Sequence, residues 1–454
     1  MNDAEVAGWL EEKALGMLEI SAGMGAMERA LDRACLEPRR QALEHMVQET
    51  ADRQALDCPK CHGGLNVDGH QRKRRVKTAF GKICFSRPYG FCPVCGEYFY
   101  PADVMLGLQD RAPASPRVQE ICALTTLRAP AGQAEDDVYR LTGIKVGAST
   151  LHREARRQGE RALALRDADE QLTQTAQGVA ELVARARPFH ERGTLIIEID
   201  AWNIRERDNW GKTKALLKAG KDTERWHWVY TATVFRLDQR GITRSGRQVI
   251  TERGFIATRR GLESFQRQLY AEALQRGFLA AKTVLILADG AIWIWNIADD
   301  RFKGAMQRVD IYHVQEHLWN LAHELYGQGT VAAREWVRPY LQGLEKRKDG
   351  ALNVITDLDQ MLKNIKDFTK TQREAIEREL NYFDQHKHRM DYKTAKQLGQ
   401  PLGSGAIEST CSQYQRRFKL TGQFWSLSGD EAFLALSSLH RNGRWLLLFP
   451  DDPR

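Results

Sequence analysis

Two short apolar runs, each closing on an aspartate, limit the folds open to this chain. LIIEI precedes Asp200 and TVLILA precedes Asp289. Runs of this length, rich in Ile, Leu and Val and bounded by polar residues or glycine, read as strands buried on both faces. Such strands need helices packed over them, which predicts an α/β domain and excludes a simple helical bundle.

The segments between and after these runs agree. WHWVYTATVFRL and RQVITERGFI alternate partially and read as strands. GLESFQRQLYAEALQRG places Leu262, Phe265, Leu269 and Leu274 on one helical face, and QRVDIYHVQEHLWNLAHELYG reads as a strand followed by a helix. The predicted order is three strands, helix, strand, helix, strand, helix: a mixed sheet of five strands with flanking helices over residues 193–326. Residues 327–398 read as a charged helical insertion, and residues 399–454 hold a last helix and the C-terminal segment.

An acid beyond a buried strand costs solvation energy unless something compensates, and in open α/β sheets sites form beyond the carboxyl ends of strands. A divalent cation compensates; carboxylate oxygens suit Mg²⁺ or Mn²⁺. Asp200 and Asp289 are therefore candidate ligands. Glu198 competes with Asp200, since two residues along a strand return to the same face; Asp200 is preferred because the strand is expected to end there. A third acid comes from GSGAIESTCSQYQRRFKLTGQFW, residues 403–425. Ile407, Cys411, Tyr414 and Phe418 form an apolar helical stripe, with Glu408 beside it. The helix can pack on a sheet and turn Glu408 into a cleft. Its basic end offers Arg416, Arg417 and Lys419, and beyond a glycine stop Gln423 and Trp425, as DNA contacts. The helix dipole alone also accounts for an acid at the start and bases at the end.

Two CxxC pairs, Cys58/Cys61 and Cys92/Cys95, frame a glycine-broken hairpin over residues 58–108. Four thiolates at this spacing predict a structural Zn²⁺ ribbon. Within it Arg72, Lys73, Arg74, Arg75 and Lys77 form a basic run that reads as a solvated face or as phosphate contacts. Residues 1–57 read as helical, broken at Pro38. Residues 109–160 fit a helix-turn-helix whose third helix, with Ser149 as N-cap, carries His152, Arg153, Arg156 and Arg157; an ordinary three-helix bundle fits as well. Residues 161–192 read as a helical connector ended by RPFHERG.

The 454 residues carry 67 Lys and Arg against 59 Asp and Glu, a formal charge of +8. That excess permits nucleic-acid binding without requiring it. No apolar run approaches the roughly 18 residues of a membrane span, and the N-terminus lacks the order of a signal peptide. A soluble intracellular protein with no membrane partner is expected.

Taken together, these residues resemble the DDE transposases of bacterial insertion sequences, in the Mutator-like group and of the ISKra type. The resemblance is carried by CPKC, GKICFSRPYGFCPVCG, YPADVMLGL, IEIDAW, LADGAIWIWN, GSGAIEST, RRFKLTGQFW and NGRW. Asp310-Ile-Tyr-His313 matches the Asp/Cys-x-x-His motif of the group. One position departs: Ala201 stands where the family places glycine. The resemblance implies an RNase H-like core, Asp200, Asp289 and Glu408 as ligands of two Mg²⁺ (or Mn²⁺) ions, and His313 as a strand or phosphate contact. It further implies DNA as partner (transposon ends and target), a dimer or larger assembly on DNA, and a cytoplasmic, nucleoid-associated location in a bacterium. The expected activity is cleavage at terminal inverted repeats and strand transfer. Two other readings stay open: a non-catalytic DNA-binding regulator derived from a transposase, and a structure-specific nuclease.

Overall fold

The computed structural model describes residues 3–17, 23–108, 112–186, 193–207, 212–221, 225–246, 248–364 and 368–450. The chain divides into two compact units, residues 1–158 with 449–454, and residues 159–448. The division falls inside one helix, Ala148–Leu172, which runs unbroken past residue 160. The RPFHERG stretch lies outside the described residues except for Gly193.

In the first unit, helices Asp3–Leu15 and Met24–Arg53 precede a three-stranded antiparallel sheet of β1 (Asn66–Thr78), β2 (Gly81–Cys92) and β3 (Glu97–Phe99). The sequence predicts a break in the helical run at Pro38; instead the proline lies inside the second helix. The neighbouring Arg40 ties both Glu37 and Glu44 along that helix, support that offsets the lost backbone bond. Phe85, Ile83 and Val76 on the sheet pack with Ala51, Ala102 and Leu108. Three helices follow, Pro116–Arg128, Ala131–Thr142 and the start of Ala148–Leu172, around Val118, Cys122, Val138, Ile144 and Leu151. The middle one stops at Gly143, whose φ of 71° suits glycine. Ser149 is not the cap of the third: the helix has begun at Ala148, and Gly147 supplies the carbonyl that Thr150 and Leu151 bond.

The second unit is built on a five-stranded mixed sheet. Its strands are β4 (Thr194–Glu206), β5 (Arg225–Arg236), β8 (Gly254–Thr258), β9 (Thr283–Ala288) and β10 (Met306–Val309), with β6 (Arg240–Ile242) and β7 (Gln248–Ile250) forming a separate hairpin. The order is β10-β9-β4-β5-β8. β4, β9 and β10 run parallel, and β5 is antiparallel to both neighbours. Alternation sorts β4 cleanly. Leu195, Ile197 and Ile199 join Phe265, Leu269, Ile294, Val314 and Leu318 on one face. Ile196 meets Phe235 and Leu285 on the other, with Ala406 against them.

The insertion folds as helices Val331–Lys346, Gly350–Lys363, Lys370–His386 and Tyr392–Gln397. Most of their charged residues are exposed, Glu379 being buried, while Val337, Leu344, Val354, Ile376 and Phe383 continue the core of the sheet's helical layer. Full burial of each such side chain contributes about 1.5–3 kcal/mol. No helix among the described residues is long and apolar enough to cross a membrane.

Candidate active site and metal centre

The four cysteines converge. Cys58 and Cys95 sulfurs lie 3.7 Å apart and Cys61 and Cys92 sulfurs 3.5 Å apart, and all four lie within 4.8 Å of one another. A tetrahedral zinc with bonds near 2.3 Å requires sulfur separations of about 3.8 Å, so the donor set fits Zn²⁺. Backbone N–H groups of Lys60 and Cys95 point at the sulfurs of Cys58 and Cys92. Burial raises the Cys58 thiol, but the N–H groups of Cys61 and Lys60, with the Cys92 and Cys61 thiols, bring it down, while its neighbours Cys61 and Cys95 are pushed up, as expected of sulfurs crowded together.

The acids of the second unit are placed by strand register. β4 pairs with β9 in parallel up to Glu198 opposite Leu287, and β10 pairs with β9 up to Val309 opposite Ala288. Continuing that register by two residues sets Asp200 level with Asp289, and by one sets Asp310 beside it. The sequence places Asp200 at a strand end; in the structure it lies inside β4. β4 runs on to Glu206, paired along its length with β5 and bridged at its end by Trp425. β9 stops at Ala288, so at Asp200 itself that edge of β4 has no paired strand.

The three aspartates differ in what they bond. Asp200 accepts from the Ala201 N–H at 2.6 Å and from the Cys411 thiol at 3.5 Å. Burial raises its carboxyl, and the Asp289 charge adds to the rise. Asp289 is half-buried and accepts from the Ala291 N–H at 3.0 Å. Gly290 follows with φ of 107°, a conformation suited to glycine. Asp310 is buried and fully engaged: it accepts from Tyr312 N and His313 N, capping helix Ile311–Tyr326, and from Ser404 N at 2.6 Å and Ser404 Oγ at 2.5 Å. Gly403 fits beneath it only for lack of a Cβ, which would stand 2.5 Å from the Tyr312 ring.

Ser404 begins helix Gly405–Phe418, which carries Glu408 in its first turn. Glu198, 1% exposed, accepts from Ile407 N at 2.8 Å and so holds the same helix start from the sheet. Burial pushes its carboxyl up to about 8. Glu198 and Asp200 thus face one helix, but Glu198 is spent on its backbone while Asp200 stays open. Ile407, Cys411, Tyr414 and Phe418 are buried as the stripe predicts, and Glu408 is exposed. Glu408 shares its helix side with Cys411, one turn on, whose thiol reaches Asp200. The carboxylates do not converge as the sulfurs do; among the described residues the four cysteines are the one group of three or more ligand side chains gathered closely enough to hold a metal. His313 is half-exposed, with Nδ1 3.7 Å from Glu316.

Sequence reasoning assigned several side chains to DNA that the structure uses elsewhere. Trp425 is 5% exposed: it stacks on Phe418 at 4.8 Å, donates from Nε1 to the Phe418 carbonyl, and bridges its backbone to β4 through Arg205 and Arg207. It cannot stack on a base. Arg417 is 8% exposed beneath the same aromatics, and Gln423 turns its amide to that residue, donating to the Arg417 carbonyl. Phe424 carries the Arg205 and Arg207 cations on its ring instead. In the first unit Arg74 is taken by Asp103 and by the carbonyls of Leu108 and Ala112, and Arg72 pairs with Asp68 at 2.7 Å. Lys73, Arg75, His152, Arg153, Arg156, Arg416 and Lys419 are exposed. Lys77, Lys82, Arg153 and Arg157 line one groove of about 380 Å³ with Thr150, Glu154 and Pro113, and Arg157 pairs with Glu154 at 2.5 Å. Lys82 carried no sequence signal beyond its charge.

No protein-family model matches the chain, and no curated protein matches it. Among solved structures the chain is similar to the Drosophila P element transposase strand transfer complex, at 11% identity over 72% of this chain and 79% of that one, with a TM-score of 0.23. A likeness at that score does not establish a common fold.

Proposed function

We propose that the chain is a DDE transposase with an RNase H-like core, cutting and joining DNA at Asp200, Asp289 and Glu408. The observation that carries this reading is the register of β4 and β9. Continued past the last pair, Glu198 with Leu287, it supports a site in which Asp289, one residue beyond β9, lies level with Asp200, whose carboxylate meets the helix that bears Glu408. The sheet order, with a central first strand and an antiparallel second, supports it. Two aspartates with hard oxygen donors, neither with an ion-pair partner among the described residues, fit Mg²⁺ or Mn²⁺.

In this reading Asp200 and Asp289 hold the metal side of the site and Glu408 completes it. Bound divalent cations would lower the pKa of an attacking water or 3′-hydroxyl and stabilise the leaving oxygen. The residues around them fix geometry. Glu198 and Asp310 pin the start of the Glu408 helix from two strands, so its carboxylate is presented from a rigid element. No covalent intermediate with protein is needed. His313 faces the DNA strand. The cysteine centre takes structural zinc, and the exposed bases of the first unit contact transposon ends, with two copies joining two ends.

The test is incubation with Mg²⁺ and DNA carrying the flanking terminal repeats. Cleavage with strand joining is expected. Cleavage without joining points to a nuclease; binding without cleavage points to a regulator.

A further inference from the structure

The helical insertion holds an imidazole in one orientation next to the acid row. His317 lies one turn beyond His313 on helix Ile311–Tyr326, and the two rings stand edge to face at 5.8 Å. Its Nδ1 is 2.6 Å from Glu379 of helix Lys370–His386, a carboxylate only 2% exposed. The other oxygen of Glu379 accepts from Arg378 Nε at 2.9 Å. The Tyr382 ring stacks on the imidazole, with centroids 3.7 Å apart and planes 15° apart. One ring nitrogen and one ring face are therefore committed. Nε2 makes no hydrogen bond among the described residues, and the side chain is 28% exposed.

The stack points at the site. A Cβ on Gly290, the residue after Asp289, would lie 3.4 Å from the Tyr382 hydroxyl. That hydroxyl is buried and has no hydrogen-bond partner among the described residues. Buried polar atoms are nearly always satisfied. An unpartnered hydroxyl beside Gly290 and, on the ring stacked against it, an imidazole nitrogen with no hydrogen bond among the described residues leave two polar groups that a ligand can satisfy.

We propose that His317, oriented by Glu379 and Tyr382, donates from Nε2 to a phosphate oxygen of the DNA strand being cut. The proposal rests on the reading of Asp200 and Asp289 as metal ligands. In this contact the ring carries a proton on each nitrogen and donates from Nδ1 to Glu379 and from Nε2 to the phosphate. Glu379 and Tyr382 are positioning residues, and the insertion thereby forms one wall of the site.

The test places a single methylphosphonate, which removes one phosphate charge, at each position across the cleavage junction. Cleavage by the wild type and by His317→Phe is then compared. Phenylalanine keeps the stack on Tyr382 and removes both nitrogens. At one position the wild type is expected to slow about tenfold, while His317→Phe is already slow by about that factor and loses nothing more there, the non-additivity of two partners in one contact. Penalties that multiply at every position would overturn the proposal. If His317→Phe does not fold, His317→Gln is judged by the same criterion. Wild-type protein that does not cleave with Mg²⁺ would overturn the metal-site reading, and this proposal with it; wild-type cleavage with multiplying penalties would overturn only the role of His317.

Discussion

The cysteine cluster and the carboxylate row solve the same problem, gathering anionic donors, in opposite ways. The sulfurs come from two tight turns joined by one hairpin, and backbone N–H groups already point at them. Their arrangement is local, closed and complete within 4.8 Å. The carboxylates come from two strands and a helix distant in sequence, and their placement depends on register and on two buried acids that hold the helix start. Local assembly suits a staple for a small sheet. Assembly from distant elements leaves an open side, which a substrate requires.

That contrast predicts a ranking of effects. Cys92→Ser should be the most damaging change. Structural zinc contributes on the order of 10 kcal/mol to such units, so the variant should lose its bound zinc by elemental analysis and its hairpin should become protease-sensitive. Retention of one zinc with normal resistance would break the local half of the comparison. Trp425→Ala should come next, lowering stability by about 3–5 kcal/mol in denaturant melts, as for other buried aromatics. A melt equal to wild type would mean that this tryptophan is not the packing residue its contacts with Phe418 and β4 indicate.

Asp310→Asn should cost about 1–3 kcal/mol, because an amide nitrogen then faces the donors of Ser404 or of the helix start. It should also slow cleavage, since the Glu408 helix loses one of its two anchors. Stability loss without a change in rate would separate the anchor from the site. Lys419→Ala should be the mildest: stability within about 0.5 kcal/mol of wild type, and the salt dependence of DNA binding reduced by about one phosphate contact. An unchanged salt slope would remove Lys419 from the DNA surface.

Much of this layout was legible before any coordinates, and the misses have common physical causes. The five-stranded mixed sheet follows from apolar runs and their alternation, because burial on two faces leaves a period that composition records. The stripe of Ile407, Cys411, Tyr414 and Phe418 predicts which helix face is covered. The extent of β4 was not legible: Ala201 to Glu206 looks like a loop in charge and polarity, yet β5 pairs with it to the end. Trp425, Arg74 and Arg417 look like surface residues by type. Their partners, Phe418 and the end of β4 for Trp425 and Asp103 for Arg74, are set by tertiary packing that no local pattern encodes. Asp310 illustrates the same point for the site. Its motif was visible, but its bonds to Ser404 join residues far apart in sequence. The pairing of His317 with Glu379 likewise depends on how the insertion folds back.

The central claim, that Asp289 is a metal ligand for cleavage, is tested most directly by Asp289→Cys. A thiolate is a poor ligand for Mg²⁺ and a better one for softer ions. The account predicts DNA binding like wild type, no cleavage in Mg²⁺, and partial recovery in Mn²⁺. Cleavage in Mg²⁺ at the wild-type rate would contradict it.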